Sequence, residues 1–258
     1  MNYSRRVNKW VALAIASIGV LVAWFSQREA GKSPPGTAPD NVDIPAPKPA
    51  GADFDFYLMA LTAHPAFCAD GNSRRQECRG GGHRSLVIHG LWPERMEPRT
   101  YPRDCPAPPL DLEPALVQQL GELMPGMADG LHVHEWRTHG GCSGLGDDEY
   151  YGRALELART VDAALGAKLT TLAGGETTPG ELRGVADLFE PGLGRTLTFH
   201  CRTLRDGGNR RPYLFEVRQC VDNDGPGGAP RTALVCATMK RRDQGCGASF
   251  MIAGEALR

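Results

Sequence analysis

Three histidines and a carboxylate crowd into eight residues of this chain, His132-Val133-His134-Glu135-Trp136-Arg137-Thr138-His139. Packing alone does not call for such a cluster. On a regular helix Glu135 and His139 stand four apart and share a face. His134 lies about 100° round from Glu135. The run therefore sets an imidazole, a carboxylate and a second imidazole around one cleft. A further histidine, His89, closes a short apolar run and precedes Gly90-Leu91-Trp92-Pro93. Read as the end of a strand, it faces a cleft, with Gly90 allowing a sharp turn and close ligand approach. Trp92 offers an aromatic face on which a base can stack.

Histidine titrates near neutral pH, so two of them can serve as base and acid in one turnover. RNA suits such a pair because it brings its own nucleophile, the 2′-hydroxyl. The base takes that proton, the acid protonates the departing 5′-oxygen, and a cationic partner steadies the charge on phosphorus. A metal site is the competing chemistry. The zinc hydrolase signature is H-E-x-x-H, with its histidines four apart. Here they are five apart, and on a regular helix their rings diverge by about 140°. His132 and His134 can chelate in a strand, but no carboxylate cluster or cysteine pair completes a ligand set. The expectation is acid–base catalysis with no cofactor and no metal.

The elements that must position these groups can be read along the chain. Residues 53–62 and 85–89 are strand-like, being apolar and partly alternating. Residues 97–111 carry five prolines and form an irregular crossing. Asp111 is placed to cap a helix over residues 112–124. Further helices are predicted over 131–139, ending at Gly140-Gly141, and over 149–165 and 179–189. Residues 196–201, 213–221 and 233–239 read as strands joined by glycine-rich loops. Helices in the middle and strands at both ends give an α+β fold, a single domain with a central, mostly antiparallel sheet.

The first 52 residues read differently. Arg5, Arg6 and Lys9 precede an uncharged, mostly apolar run from Trp10 to Phe25. The run is slightly long for a signal-peptide core and slightly short for a spanning helix. A cleaved signal and an uncleaved anchor both stay open. Positive charge before the run leaves the rest of the chain outside the cytoplasm. Residues 31–52 are rich in Pro, Gly and Ala and form an extended linker, which makes more sense if residues 10–25 act as a membrane tether. The domain reading is therefore 1–30 signal or anchor, 31–52 linker, and 53–258 catalytic domain, periplasmic or secreted and monomeric.

Eight cysteines, at 68, 78, 105, 142, 201, 220, 236 and 246, all follow the linker. After an export signal an even number reads as four disulfides. Counting alone leaves the pairing open. Residues 1–50 hold six of the 29 basic and three of the 30 acidic residues. The remainder thus has 23 against 27, a formal charge of −4. Broad electrostatic attraction to nucleic acid is excluded by that balance. Contacts to RNA must be local. Arg202, Arg205, Arg210, Arg211 and the run Lys240-Arg241-Arg242 are candidates, though solvated faces and loops explain them as well.

Taken together, His89-Gly90-Leu91-Trp92-Pro93 and His134-Glu135-Trp136 leading to His139-Gly140-Gly141-Cys142 resemble the ribonuclease T2 family of secreted acid ribonucleases. The two motifs lie about 45 residues apart, and the resemblance extends over residues 53–250. It implies an endoribonuclease acting on single-stranded RNA through 2′,3′-cyclic phosphates to 3′-phosphate ends, with low base specificity. It implies His89 as general acid, His139 as general base, His134 on the phosphate, Glu135 assisting, and Trp92 lining a base pocket. It also implies the pairings Cys68–Cys78, Cys105–Cys142, Cys201–Cys246 and Cys220–Cys236. The chain departs from the family at several positions. Thr138 stands where a lysine usually precedes the last histidine, and Arg137 lies about 100° round the helix. Gly141 replaces a threonine, His132 and His64 replace tryptophans, and Glu94 stands where some members have aspartate. The missing lysine and the tether keep a second reading open: a catalytically weak member acting by RNA or protein binding. A zinc-dependent hydrolase is the third.

Overall fold

Eight consecutive residues, Phe56–Ala63, are buried on both sides of the strand they form. They are apolar almost throughout, as a strand covered on both faces requires. The computed structural model describes residues 51–79, 84–97, 100–223 and 233–254. Residues 1–50, on which the signal and linker readings fall, lie outside the described residues. In chain order the elements are β1 (Phe56–Ala63), α1 (His64–Phe67), β2 (Leu86–Glu94), α2 (Pro114–Leu123), α3 (Leu131–Glu135), α4 (Gly141–Ser143), α5 (Asp147–Thr171), β3 (Glu176–Thr177), α6 (Pro179–Phe189), β4 (Leu197–Asp206), β5 (Asn209–Val221) and β6 (Phe250–Met251).

The strands make one sheet in the order β2-β1-β5-β6-β3, with β4 also paired to β5. All pairings are antiparallel except β5 with β6. The fold is thus α+β, with a mostly antiparallel sheet. One face of the sheet carries the main core, in which Tyr57, Met59, Leu61, Phe199 and Val217 meet Tyr150, Leu155, Ala158 and Val161 of α5. The other face of β1 buries Phe56 and Leu58 against the Cys220–Cys236 bridge, Leu234 and Met239. Burying apolar surface on both faces makes β1 the anchor of the fold.

The helices follow the apolar spacing with shifted ends. α2 starts at Pro114, not at 112, because proline pre-sets the first helical φ. Asp111 does not cap it. Instead the backbone N–H groups of Asp111 and Glu113 donate to Asp147 and Asp148, at 2.7 and 2.9 Å. α5 is longer than expected at both ends, and it opens on Asp147, Asp148 and Glu149, whose charges suit a helix N-terminus. The helix through 131–139 does not stop at Gly140-Gly141; α4 continues it to Gly144, whose φ of +76° ends it. The expected strand over 233–239 is absent. Ala233 makes one bridge to Val221, and a turn follows through Lys240, whose φ is +52°. The disulfide from Cys236 to Cys220 and the bond from Cys236 N–H to the Arg195 carbonyl fold that apolar stretch onto the sheet instead of along it.

Four disulfides join Cys68–Cys78, Cys105–Cys142, Cys201–Cys246 and Cys220–Cys236, the last pair nested inside the third. Cys105–Cys142 pins the proline-rich crossing against the end of the helix that carries the histidine cluster. At Gly141 that approach leaves no room for a side chain: a Cβ there would lie 2.7 Å from the Cys105 carbonyl oxygen. Replacing both Cys105 and Cys142 by serine is expected to lower unfolding free energy by about 2–4 kcal/mol. Denaturant titration against the parent protein checks this.

Candidate active site

His89 reaches the cleft through an irregularity in β2. Ala60 of β1 faces Gly90 and Leu61 faces Ile88, so His89 is an extra residue opposite no partner. In a regular strand, residues an odd number apart point to opposite faces. His89 would then point away from Gly90, Trp92 and Glu94. The bulge re-aims it, and His89, Trp92 and Glu94 line one cleft. His89 is thus placed inside β2 and not at its end. Gly90 does not make a turn either. It is a gap in the strand: a Cβ there would overlap Glu135 Oε2 and Trp92 Nε1. Gly90→Ala is therefore expected to displace Glu135 and Trp92 and to cut kcat by about tenfold or more, with the far-ultraviolet dichroism of the parent. Steady-state kinetics on RNA checks it.

The second cluster depends on a departure from regular helix. Trp136–Gly140 form a π turn, closed by i to i+5 hydrogen bonding, between α3 and α4. The wider turn brings His134 and His139, five apart, to the same cleft, where an α-helix would splay them. Trp136 anchors this turn from within the core, its Nε1 donating to the Pro108 carbonyl at 2.9 Å. Tyr151 donates to the His132 carbonyl, and His132 is not among the cleft-lining residues.

The cleft has a volume of about 410 Å³ and is lined by His89, Trp92, Glu94, Tyr101, Arg103, His134, Glu135, Thr138, His139 and Arg218. His89, Trp92, His134, Glu135 and His139 all line it, whereas the candidate arginines and Lys240 do not. Glu135 is buried, and its Oε2 accepts from Trp92 Nε1 at 2.8 Å. Its other oxygen is 3.9 Å from His89 Nε2. His89 Nδ1 lies 2.7 Å from Glu216 Oε1, and Arg218 Nε donates to Glu216 Oε2 at 2.8 Å. The Arg218 guanidinium sits 5.1 Å from the Trp92 ring centre. The Trp92 ring meets His89 edge-on at 5.0 Å and lies 5.5 Å from the His139 ring. Tyr101 flanks His139 at 6.2 Å.

The two histidines are tuned in opposite directions. Burial alone would lower the pKa of His89, but the hydrogen bond and charge of Glu216, with Glu135 behind it, raise it overall. Burial lowers His139 to about 4, helped by His134, His89 and Arg103. Glu216 would be raised by burial, yet His89 and Arg218 hold it at about 2. Glu135 is raised, mainly by burial. Between about pH 4 and the ordinary histidine range the cleft therefore favours a charged His89 beside a neutral His139, protonation states that suit an acid and a base.

Sequence reasoning missed four members of this cleft and its support: Glu216, Arg218, Arg103 and Tyr101. A signal for two of them was present. Glu216 and Arg218 are two apart in the largely buried C-terminal part of β5, so they share a face. Arg137 lines a separate pocket with Pro108, Pro109 and Val133 and does not replace the missing lysine. Arg241 is not a solvated loop residue: it bonds Glu94 at 2.7 Å and the Arg95 carbonyl at 2.9 Å. Arg202 pairs with Asp70, while Arg205 and Arg210 stand exposed on the β4–β5 hairpin. Among the described residues, the one close set of three potential metal ligands is His64, Cys68 and Cys78, and both cysteines are oxidised.

The α+β frame that carries this cleft is shared with known proteins. The profile of the Ribonuclease T2 family matches residues 54–227. A ribonuclease of Aeromonas hydrophila is 29% identical over 247 residues, covering 90% of this chain and 94% of that protein. Extracellular ribonuclease LE of Solanum lycopersicum is 26% identical and covers 68% of this chain and 80% of its own. A crystal structure of a ribonuclease MC1 mutant in complex with 5′-UMP superposes with a TM-score of 0.61 at 26% identity, covering 78% of this chain and 99% of that one. The chain belongs to the Ribonuclease T2 family. It is an endoribonuclease.

Proposed function

We propose that this protein cleaves single-stranded RNA by metal-free transphosphorylation, giving 2′,3′-cyclic phosphates and then 3′-phosphates. The observation that carries the reading is the opposed tuning of His89 and His139 in one cleft. Neutral His139 removes the 2′-hydroxyl proton. The 2′-oxygen attacks phosphorus, and charged His89 delivers its proton to the 5′-oxygen as the P–O5′ bond breaks. His134 donates to a phosphate oxygen, Arg218 and Arg103 add positive charge at the cleft, and Glu135 steers the phosphate and His89. In the second stage the roles reverse, and water opens the cyclic phosphate.

Trp92 and Tyr101 offer faces on which any base stacks. Glu94, the carboxylate at that end of the cleft, is already held by Arg241. Both features favour low base specificity. The 5′-UMP held by the ribonuclease MC1 mutant is in keeping with an RNA strand as the ligand here.

Residues 1–30 serve as export signal or anchor, 31–52 as linker, and 53–258 as the catalytic domain, delivered to the periplasm or the exterior. Four disulfides suit an oxidising compartment, and one relative is named an extracellular ribonuclease. Digestion of total RNA with excess EDTA tests the chemistry. Cyclic phosphate ends formed at an undiminished rate support it; cleavage that needs added zinc refutes it.

A further inference from the structure

Glu216 and Arg218 belong to β5, outside both histidine motifs, yet Glu216 makes the shortest contact to His89, at 2.7 Å, and Arg218 bonds Glu216. A second bulge sets them there. His200 of β4 faces Glu216 and Cys201 faces Leu214, so Phe215 is the extra residue of β5. Beside it, Thr62 of β1 faces Glu216 and Ala60 faces Arg218. The contacts close a ring. Trp92 donates to Glu135, Glu135 approaches His89 Nε2, His89 Nδ1 meets Glu216, and Glu216 accepts from Arg218, whose guanidinium returns to the Trp92 ring.

We infer that Glu216 is a positioning residue for the acid step: its carboxylate holds the Nδ1 side of His89 so that the Nε2 proton is presented to the leaving 5′-oxygen. Arg218 keeps Glu216 ionised and fixed. The physical reasons are two. A carboxylate on one imidazole nitrogen fixes the ring orientation and makes the other N–H the one that faces the reaction. It also favours the charged ring, so the acid stays loaded. Glu216 is buried and never needs to touch the RNA. The inference rests on the reading of His89 as the general acid.

Other titratable or charged groups face His89 from each element packed around it. Glu135, His134 and His139 come from the helix and its π turn, and Arg103 from the proline-rich crossing. Arg75, Glu77 and Arg202 share the pocket on its other side. Among them Glu216 is the partner at hydrogen-bond distance.

Glu216→Gln in the full-length, disulfide-intact protein is the test, read on two substrates. One is a dinucleoside monophosphate, whose poor leaving group needs the acid. The other is a nucleoside 3′-phosphate aryl ester, whose nitrophenolate leaves without a proton. On the first, kcat should fall by about 10- to 100-fold with KM within about threefold. On the second, the loss should shrink to under about threefold. The alkaline limb of the kcat profile should move to lower pH, because His89 then loses its proton sooner. Equal losses on both substrates, an unmoved alkaline limb, or no loss at all would overturn the inference.

Glu216→Asp keeps the charge and serves if the glutamine variant does not fold. Its smaller loss should also vanish on the aryl ester, and a loss undiminished there overturns the inference equally. His89→Ala is the control. If the aryl ester does not rescue that variant, the general-acid reading itself fails, independently of Glu216.

Discussion

Replacing His139 by alanine is expected to lower kcat/KM on RNA by about 10²–10⁴-fold, with the fold retained. No carboxylate in the cleft is free to take its place as base, and His134 is assigned to the phosphate. Glu135 is bonded to Trp92, and Glu216 is committed to His89 and Arg218. Thr138 does not titrate, and Glu94 is tied to Arg241. His89→Ala should cost a similar factor, because Arg218 cannot release a proton near neutral pH. The double variant should be little worse than either single one, since the two act as a unit in one step. Parallel kinetics and circular dichroism on the three variants check this. An active double variant would dispose of the two-histidine mechanism.

The second large effect is on pH. The kcat/KM profile should be bell-shaped, rising as pH increases through about 4, where His139 loses its proton. Below that point activity should fall about tenfold per pH unit, because the fraction of neutral His139 falls so. The sign on the other side is opposite. His89 is raised above its ordinary 6.5, so it stays charged through that pH, and activity declines only as it deprotonates beyond. The two limbs belong to a coupled pair of histidines and not to either ring alone. A profile that climbs steadily into the alkaline range would mean that no acid of this kind is used.

Much of this arrangement was legible in the residues. The long apolar run of β1 and the helix Pro179–Phe189 followed from local rules. The latter is fixed at its start by a capping box in which Thr178 Oγ1 accepts from Glu181 N–H and Glu181 Oε2 accepts from Thr178 N–H. The two histidine motifs stood out by residue type and spacing, and His89, His134, Glu135, His139 and Trp92 line one cleft. The details that aim them were not legible. A bulge at His89 and a π turn at Trp136–Gly140 each add one residue to a regular repeat, and sequence periodicity assumes that repeat. Regular geometry therefore put His134 and His139 on diverging faces and Gly90 in a turn.

Glu216 and Arg218 escaped for a different reason. They lie more than 120 residues after His89, as the 127-residue separation of the His89–Glu216 contact shows, and only strand pairing brings them together. Residues 233–239 misled because apolar content marks burial, and burial here comes from a disulfide-held turn packed on the sheet.

The most direct measurement uses an RNA oligonucleotide with a single 2′-deoxynucleotide at an otherwise well-cut position. Transphosphorylation needs the 2′-hydroxyl on the 5′ side of the scissile phosphate as nucleophile. Cleavage 3′ of the deoxynucleotide should vanish, while neighbouring ribonucleotides are cut at their usual rates and carry cyclic phosphate ends. Cleavage at the deoxy position, with a water-derived oxygen on phosphorus, would contradict the two-histidine mechanism outright.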